Sequence, residues 1–188
     1  FIRKKLANRG EAIPSPAEAL ARMGEDGFTH VAVQSLHMIP GSEFHDLAQT
    51  VNAFRGLPEG IRHLSLGMPL LNVHADLTYI GDAMARRFQD CAGQNSQEAV
   101  VFMGHGSHHA ANVYYPAFQY YLDELPGHFY IGTVEGYPEI DKVVARLKTN
   151  GIEKVCLTPF MSVAGDHALN DMAGEDPESW KNILEQQG

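Results

Sequence analysis

Val101-Phe-Met-Gly-His-Gly-Ser-His-His109 places His105, His108 and His109 close together, directly after an apolar run and between glycines. Imidazole changes charge near neutral pH and is the commonest protein ligand of transition metals. The stretch is therefore a metal site, a catalytic turn or a polar loop rich in histidine. What decides is which other groups reach it. Further along, a carboxylate stands in Val134-Glu135-Gly136, and a second imidazole in Ala164-Gly-Asp-His167-Ala-Leu-Asn-Asp171. Two imidazoles and a carboxylate, His105, Glu135 and His167, suit cobalt, iron, nickel or zinc. The same trio could run acid–base chemistry, because a nearby carboxylate favours protonated imidazole. Glycines beside or near all three fit tight turns that a ligand approaches closely.

The elements that must position these residues alternate. Ser15-Pro-Ala-Glu18 reads as a capping box with proline at the first helical position, opening a helix to about Met23. Thr29–Leu36 follows as a buried strand. Ser42 caps a helix carrying Phe44, Leu47, Ala48 and Val51 at helical spacing. Arg62–Leu66 is a short strand, and Val73–Phe88 a longer helix. The polar stretch from Cys91 to Gln97 marks the expected boundary between two lobes, 1–97 and 98–188. Ala99–Met103, Phe129–Val134 and Lys154–Thr158 then read as strands. Helices follow over Ala110–Leu122, over Pro138–Lys148 and from Pro177 onward. This alternation predicts an α/β fold with parallel sheets flanked by helices. In such sheets ligands bind beyond the carboxyl ends of the strands. Three successive strands of the second lobe are thus expected to deliver His105, Glu135 and His167 to one rim. A doubly wound lobe usually begins with a strand, so a longer chain, with a further first strand and a further C-terminal end, is expected.

Neighbouring residues have plainer readings. His108 and His109 can start the next helix, with His109 aimed outward. Asp166 and Asp171 read as helix caps. His37, at the end of the first visible strand, could face the same site from the other lobe or be structural. His45 flanks an apolar stripe and is expected on the surface. The run Tyr114-Tyr-Pro-Ala-Phe-Gln-Tyr-Tyr121 is either helix packing or a wall for a flat conjugated ligand.

Composition excludes several classes. The chain has 188 residues, 44% hydrophobic and 20% charged, with a formal net charge of -9. That is a globular composition, and the acidic balance argues against a nucleic-acid binder. No apolar run approaches the roughly 20 residues of a membrane span. Small molecules, ions or further copies of the chain are the expected partners, so a homo-oligomer is compatible. Cys91 and Cys156 fit no metal spacing and read as unpaired thiols. The sequence begins at Phe1, where a removed signal peptide would be invisible, so the compartment, cytoplasmic or periplasmic, is left open.

Four stretches together resemble a known family: Val31-Ala-Val-Gln-Ser-Leu-His37, Val101-Phe-Met-Gly-His-Gly106, Val134-Glu-Gly-Tyr-Pro-Glu139 and Ala164–Met172. They look like the class II chelatases of the anaerobic cobalamin pathway, the sirohydrochlorin cobaltochelatases. The resemblance covers nearly the whole chain in the same order. It implies two similar α/β lobes with a tetrapyrrole cleft between them. It also implies that His105 and His167 handle the metal with Glu135 between them, and His37 is then the candidate to face the tetrapyrrole cleft. The implied reaction is insertion of Co2+, or alternatively Fe2+, into sirohydrochlorin without ATP. No GxxxxGK[ST] stretch is present, in keeping with that.

The ring must lose two pyrrolic protons as the ion enters. An imidazole beside it can hold the ion, accept a proton, or do each in turn. Sirohydrochlorin carries many carboxylates, so helix N-terminal amides or Arg3, Lys4 and Lys5 are candidates to offset them. A non-catalytic metal or tetrapyrrole carrier would use the same histidines. A metallohydrolase is the third alternative, though HExxH is absent.

Overall fold

In a computed structural model, residues 6, 8–10, 12–57, 60–92 and 97–188 are described. They divide into two compact units, Phe1–Ser35 with Ser42–Met68, and Leu36–Gly41 with Pro69–Gly188. Part of the expected lobe boundary, 93–96, lies outside the described residues, as do Arg3, Lys4 and Lys5.

The first unit holds α1 (Pro16–Glu25), β1 (His30–Gln34), α2 (Ser42–Phe54) and β2 (His63–Gly67). The capping box forms as expected: Ser15 Oγ accepts from the Glu18 N–H, and Glu18 Oε2 accepts from the Ser15 N–H. β1 and β2 pair in parallel, with His30 opposite His63. Alternation sends Val31, Val33, Leu64 and Leu66 to one face, where Leu20, Val51 and Ile61 cover them. β1 stops at Gln34, short of the expected Leu36, and Leu36–Gly41 belongs to the second unit.

The second unit contains α3 (His74–Arg87), β3 (Glu98–Gly106), α4 (Tyr114–Leu122), β4 (Phe129–Glu135), α5 (Ile140–Thr149), β5 (Lys154–Pro159) and α6 (Trp180–Gln186). A 3-10 turn, Ala110–Val113, leads into α4, and a π-helical turn, His167–Met172, follows β5. The three strands are parallel in the order β4-β3-β5.

β3 lies in the middle, and Ala99 through Gly104 are all buried, as a strand covered on both faces requires. Val100 and Phe102 join Leu77 of α3 and Tyr115, Phe118 and Leu122 of α4 on one face. Val101 and Met103 join Val143 and Leu147 of α5 and Trp180 of α6 on the other. The aromatic run is largely core: Tyr115 and Phe118 are buried, while Tyr120 points outward. Besides α4, whose first expected turn is the 3-10 turn, two helices begin later than the sequence suggests. α5 starts at Ile140, two residues after the proline, and α6 at Trp180, because Ser179 rather than Pro177 supplies the N-cap.

β4 is an edge strand, and its free edge is not left open. Gln119 of α4 is buried; its Oε1 accepts from the Ile131 N–H at 2.8 Å. Its Nε2 donates to the Phe129 carbonyl at 3.0 Å. One side-chain amide thereby stands in for a neighbouring strand.

Candidate metal-handling site

The site grows from the last three residues of β3. Gly104 is there because a Cβ would lie 2.5 Å from Cε1 of Tyr115, whose ring fills the space beneath the strand end. Gly106 has φ +81, and a Cβ on it would meet the Glu135 carbonyl oxygen at 1.6 Å. Burial pushes the Tyr115 phenol above its ordinary range, and a hydrogen bond with the Gly106 backbone partly opposes that. Between these two constrained glycines, His105 is exposed at the strand end.

His167 opens the π-helical turn after β5. The rings of His105 and His167 cross edge to face, with centroids 4.6 Å apart. Each has an orienting partner that can only accept. His105 Nδ1 lies 3.0 Å from the Gly106 carbonyl oxygen. His167 Nδ1 lies 2.5 Å from Oδ2 of Asp171. Both hydrogen-bond sets assign the proton to Nδ1 and leave Nε2 as the free lone pair. Fixing one ring nitrogen so that the other can meet an ion is a recurring feature of metal-binding histidines.

Asp171 is therefore not the helix cap expected from sequence; it orients His167. The four-residue spacing of His167 and Asp171 is the signal for this pairing, because it puts both on one side of a helical turn. Asp166 does stand at the N-cap of that turn but makes no capping hydrogen bond with its side chain.

Glu135 is the last residue of β4, exposed, and directly opposite Gly106 in the register. Among the described residues, no three His, Cys, Asp or Glu side chains gather closely enough to hold an ion. Alternation gives the reason. Glu135 shares the parity of Thr133 and Ile131, whereas His105 shares that of Val101 and Met103, on the opposite face of the pleat. The structure thus brings His105 and His167 together and leaves Glu135 one register step away.

The remaining candidates have defined places. His109 caps the 3-10 turn, its Nδ1 accepting from the Ala111 N–H at 3.1 Å, so it points into the backbone rather than outward. His108 and His45 are exposed. His37 is half-buried, and its carbonyl accepts from the Leu70 N–H within the second unit.

One residue that the sequence reading passes over ties the loops together. Asn112 Oδ1 accepts from the Ser107 N–H at 3.0 Å, and its Nδ2 donates to the Tyr137 carbonyl at 2.7 Å. It links the loop after His105 to the loop after Glu135. Gly136 is small to admit it: a Cβ there would lie 2.7 Å from Asn112 Oδ1. Nothing in the local sequence marks Asn112, since its partners are backbone groups on two other segments.

Paired imidazoles with fixed tautomers stand at the carboxyl ends of parallel strands in this α/β fold, a donor arrangement that suits a metal ion. The chain belongs to the cobalt chelatase (CbiK) family, whose family model matches residues 1–188. It is 41% identical over 188 residues to the sirohydrochlorin cobaltochelatase CbiKC of Nitratidesulfovibrio vulgaris, covering 100% of this chain and 66% of that protein. It is 38% identical over 181 residues to the sirohydrochlorin cobaltochelatase of Salmonella typhimurium, covering 96% of this chain and 66% of that protein. The chain thus spans just under two thirds of the length of these relatives. Among the described residues no helix is long and apolar enough to cross a membrane.

Proposed function

We propose that this protein inserts a divalent metal ion, Co2+, into sirohydrochlorin for corrinoid synthesis, without ATP. The observation that carries the reading is the His105–His167 pair, 4.6 Å between centroids and both offering Nε2, in a chain of the cobalt chelatase family. The relatives' names supply the ring and the metal. An imidazole in this position can take the ion from water, hold it against the ring nitrogens and accept a pyrrolic proton as the ion enters. The Asp171 carboxylate holds His167 through Nδ1 and so leaves its Nε2 facing the ion or the proton. Glu135 is proposed to offset the charge of the ion, from its place opposite Gly106. His37 is proposed to face the ring, and the two-lobe division at 97 and 98 is part of the same reading.

Exposed apolar side chains near His167 support a ligand with a flat, apolar ring face. Val163 is 82% exposed and Leu169, inside the same turn as His167, is 72% exposed. A macrocycle lying over them would remove that area from water. The test mixes apo protein, sirohydrochlorin and Co2+ under anaerobic conditions and follows the absorbance change on insertion. His105→Ala and His167→Ala are each expected to lower the accelerated rate by about 10²–10⁴-fold, the usual range for a proton-transfer group. Rates equal to wild type in both variants would overturn the site. Tight ring or metal binding by wild type without acceleration would favour a carrier.

A further inference from the structure

The loop from Phe160 to Asp166 carries the chain from the end of β5 to His167. Its first residue is fixed. The Phe160 N–H donates to the Met103 carbonyl of β3 at 2.8 Å, and its buried ring stacks on Phe118 with centroids 5.2 Å apart. Two residues on, the Ser162 hydroxyl donates to the Leu36 carbonyl at 2.5 Å, with Met38 Sδ 3.5 Å away. The accepting segment is itself held inside the second unit. The Leu70 and Leu71 N–H groups donate to the His37 and Met38 carbonyls at 3.0 and 2.8 Å, and Ile39 is buried with Leu71 in the core. Beyond Ser162 little restrains the loop. Val163 stands in solvent, and a Cβ on Gly165 would meet nothing within 4 Å. The next side-chain hydrogen bond along the described chain is that of His167 with Asp171.

We infer that Ser162 is a positioning residue for the metal-handling pair: its hydroxyl moors the loop from which His167 reaches His105. The inference rests on the proposed reading of that pair as the metal site. Asn112 ties the loops after β3 and β4 to each other. Ser162 does the equivalent for the loop after β5, and its acceptor is the residue that precedes His37.

The role acts through His167, because the Ser162 proton goes to a backbone carbonyl. Without the hydroxyl, the loop is fixed only at Phe160, and the arrangement with both imidazoles together becomes a smaller share of the population. Apparent ion affinity falls with that share, while an ion already held between the rings reacts as before. The net worth of one hydrogen bond sets the loss at about 2–10-fold. Ser162 and Leu36 are both exposed, so water can serve the carbonyl when the hydroxyl is removed, and an added methyl has room.

The test titrates Co2+ into the protein without tetrapyrrole, followed by calorimetry, with His105→Ala marking the signal that belongs to the pair. Ser162→Ala should weaken this binding by about 2–10-fold. Ser162→Thr keeps the hydroxyl and should match wild type. In the insertion assay Ser162→Ala should raise KM for Co2+ by the same factor with kcat unchanged. Unchanged Co2+ affinity in Ser162→Ala, failure of threonine to restore it, or a loss confined to kcat would each overturn the inference. So would the absence of any His105-dependent Co2+ signal in wild type. Insertion by Ser162→Ala at wild-type KM removes the role of Ser162 and leaves the chelatase reading standing. No insertion by wild type removes that reading, and the Co2+ titration still judges Ser162.

Discussion

Gly106→Ala tests the packing argument beneath His105 most directly. The substitution faces two separate penalties. A left-handed backbone, φ +81 here, costs an L-residue about 1–2 kcal/mol. The added methyl would also overlap the Glu135 carbonyl oxygen, at 1.6 Å, and that atom belongs to a paired strand rather than a flexible side chain. Relief requires β3 and β4 to part locally, a cost of about 1–3 kcal/mol by analogy with overpacked cores. Gly151→Ala isolates the first penalty, because Gly151 has φ +65 with nothing within 4 Å of its Cβ position. Both glycines lie in the second unit, and Trp180, the chain's only tryptophan and 4% exposed, reports on that unit. Urea unfolding followed by Trp180 fluorescence should therefore place Gly106→Ala below Gly151→Ala by roughly 1–3 kcal/mol. At ordinary urea sensitivities that is about 1 M in midpoint. Equal midpoints for the two variants would refute the claim that strand contact, rather than backbone conformation alone, requires glycine beside His105.

Gln119→Leu should destabilise the second unit by about 2–4 kcal/mol in the same assay, since it strands the buried Ile131 N–H and Phe129 carbonyl together. A loss below about 1 kcal/mol would mean that water replaces the amide at the β4 edge. Burial raises the Tyr115 and Tyr130 phenols above 10.0 in the folded chain. Folding therefore binds these protons more tightly than the unfolded chain does. Their contribution to stability is full below the unfolded value near 10 and declines as pH rises past it toward the folded values. Urea midpoints compared at mildly and strongly alkaline pH should fall less for Tyr115→Phe than for wild type, and identical slopes would contradict the assignment.

The parts of this fold visible in sequence are those governed by short-range rules. Ser15 and Glu18 specify a capping box whatever surrounds them, and it forms. The apolar run from Ala99 to Met103 specifies a strand covered on both faces, and β3 is one. His105 and His167 follow from reading the ends of strands in an α/β alternation, and their rings meet. What stayed hidden depends on parity and on long-range backbone contact. Whether Glu135 and His105 leave the same face turns on the β3–β4 register, which no local pattern sets. Asp171 looked like a cap because the π-helical turn that puts it beside His167 has no sequence signature of its own. Asn112 and Gln119 act on carbonyls and N–H groups of distant segments, and such partners carry no side-chain identity to recognise.

The clamp on both flanks of His105 also bears on how this protein could be re-engineered. Variation at 104 or 106 is met by an aromatic ring on one side and a strand carbonyl on the other, so libraries aimed there would return mostly destabilised chains. Apart from Gly165, whose φ of +46 favours glycine, exposed positions between Val163 and Met172 carry no such restriction: Val163 and Leu169 stand largely in solvent. Selection for a different ion or a different ring would therefore find its room to move in that segment, with the Gly-His-Gly strand end serving as the fixed point of reference.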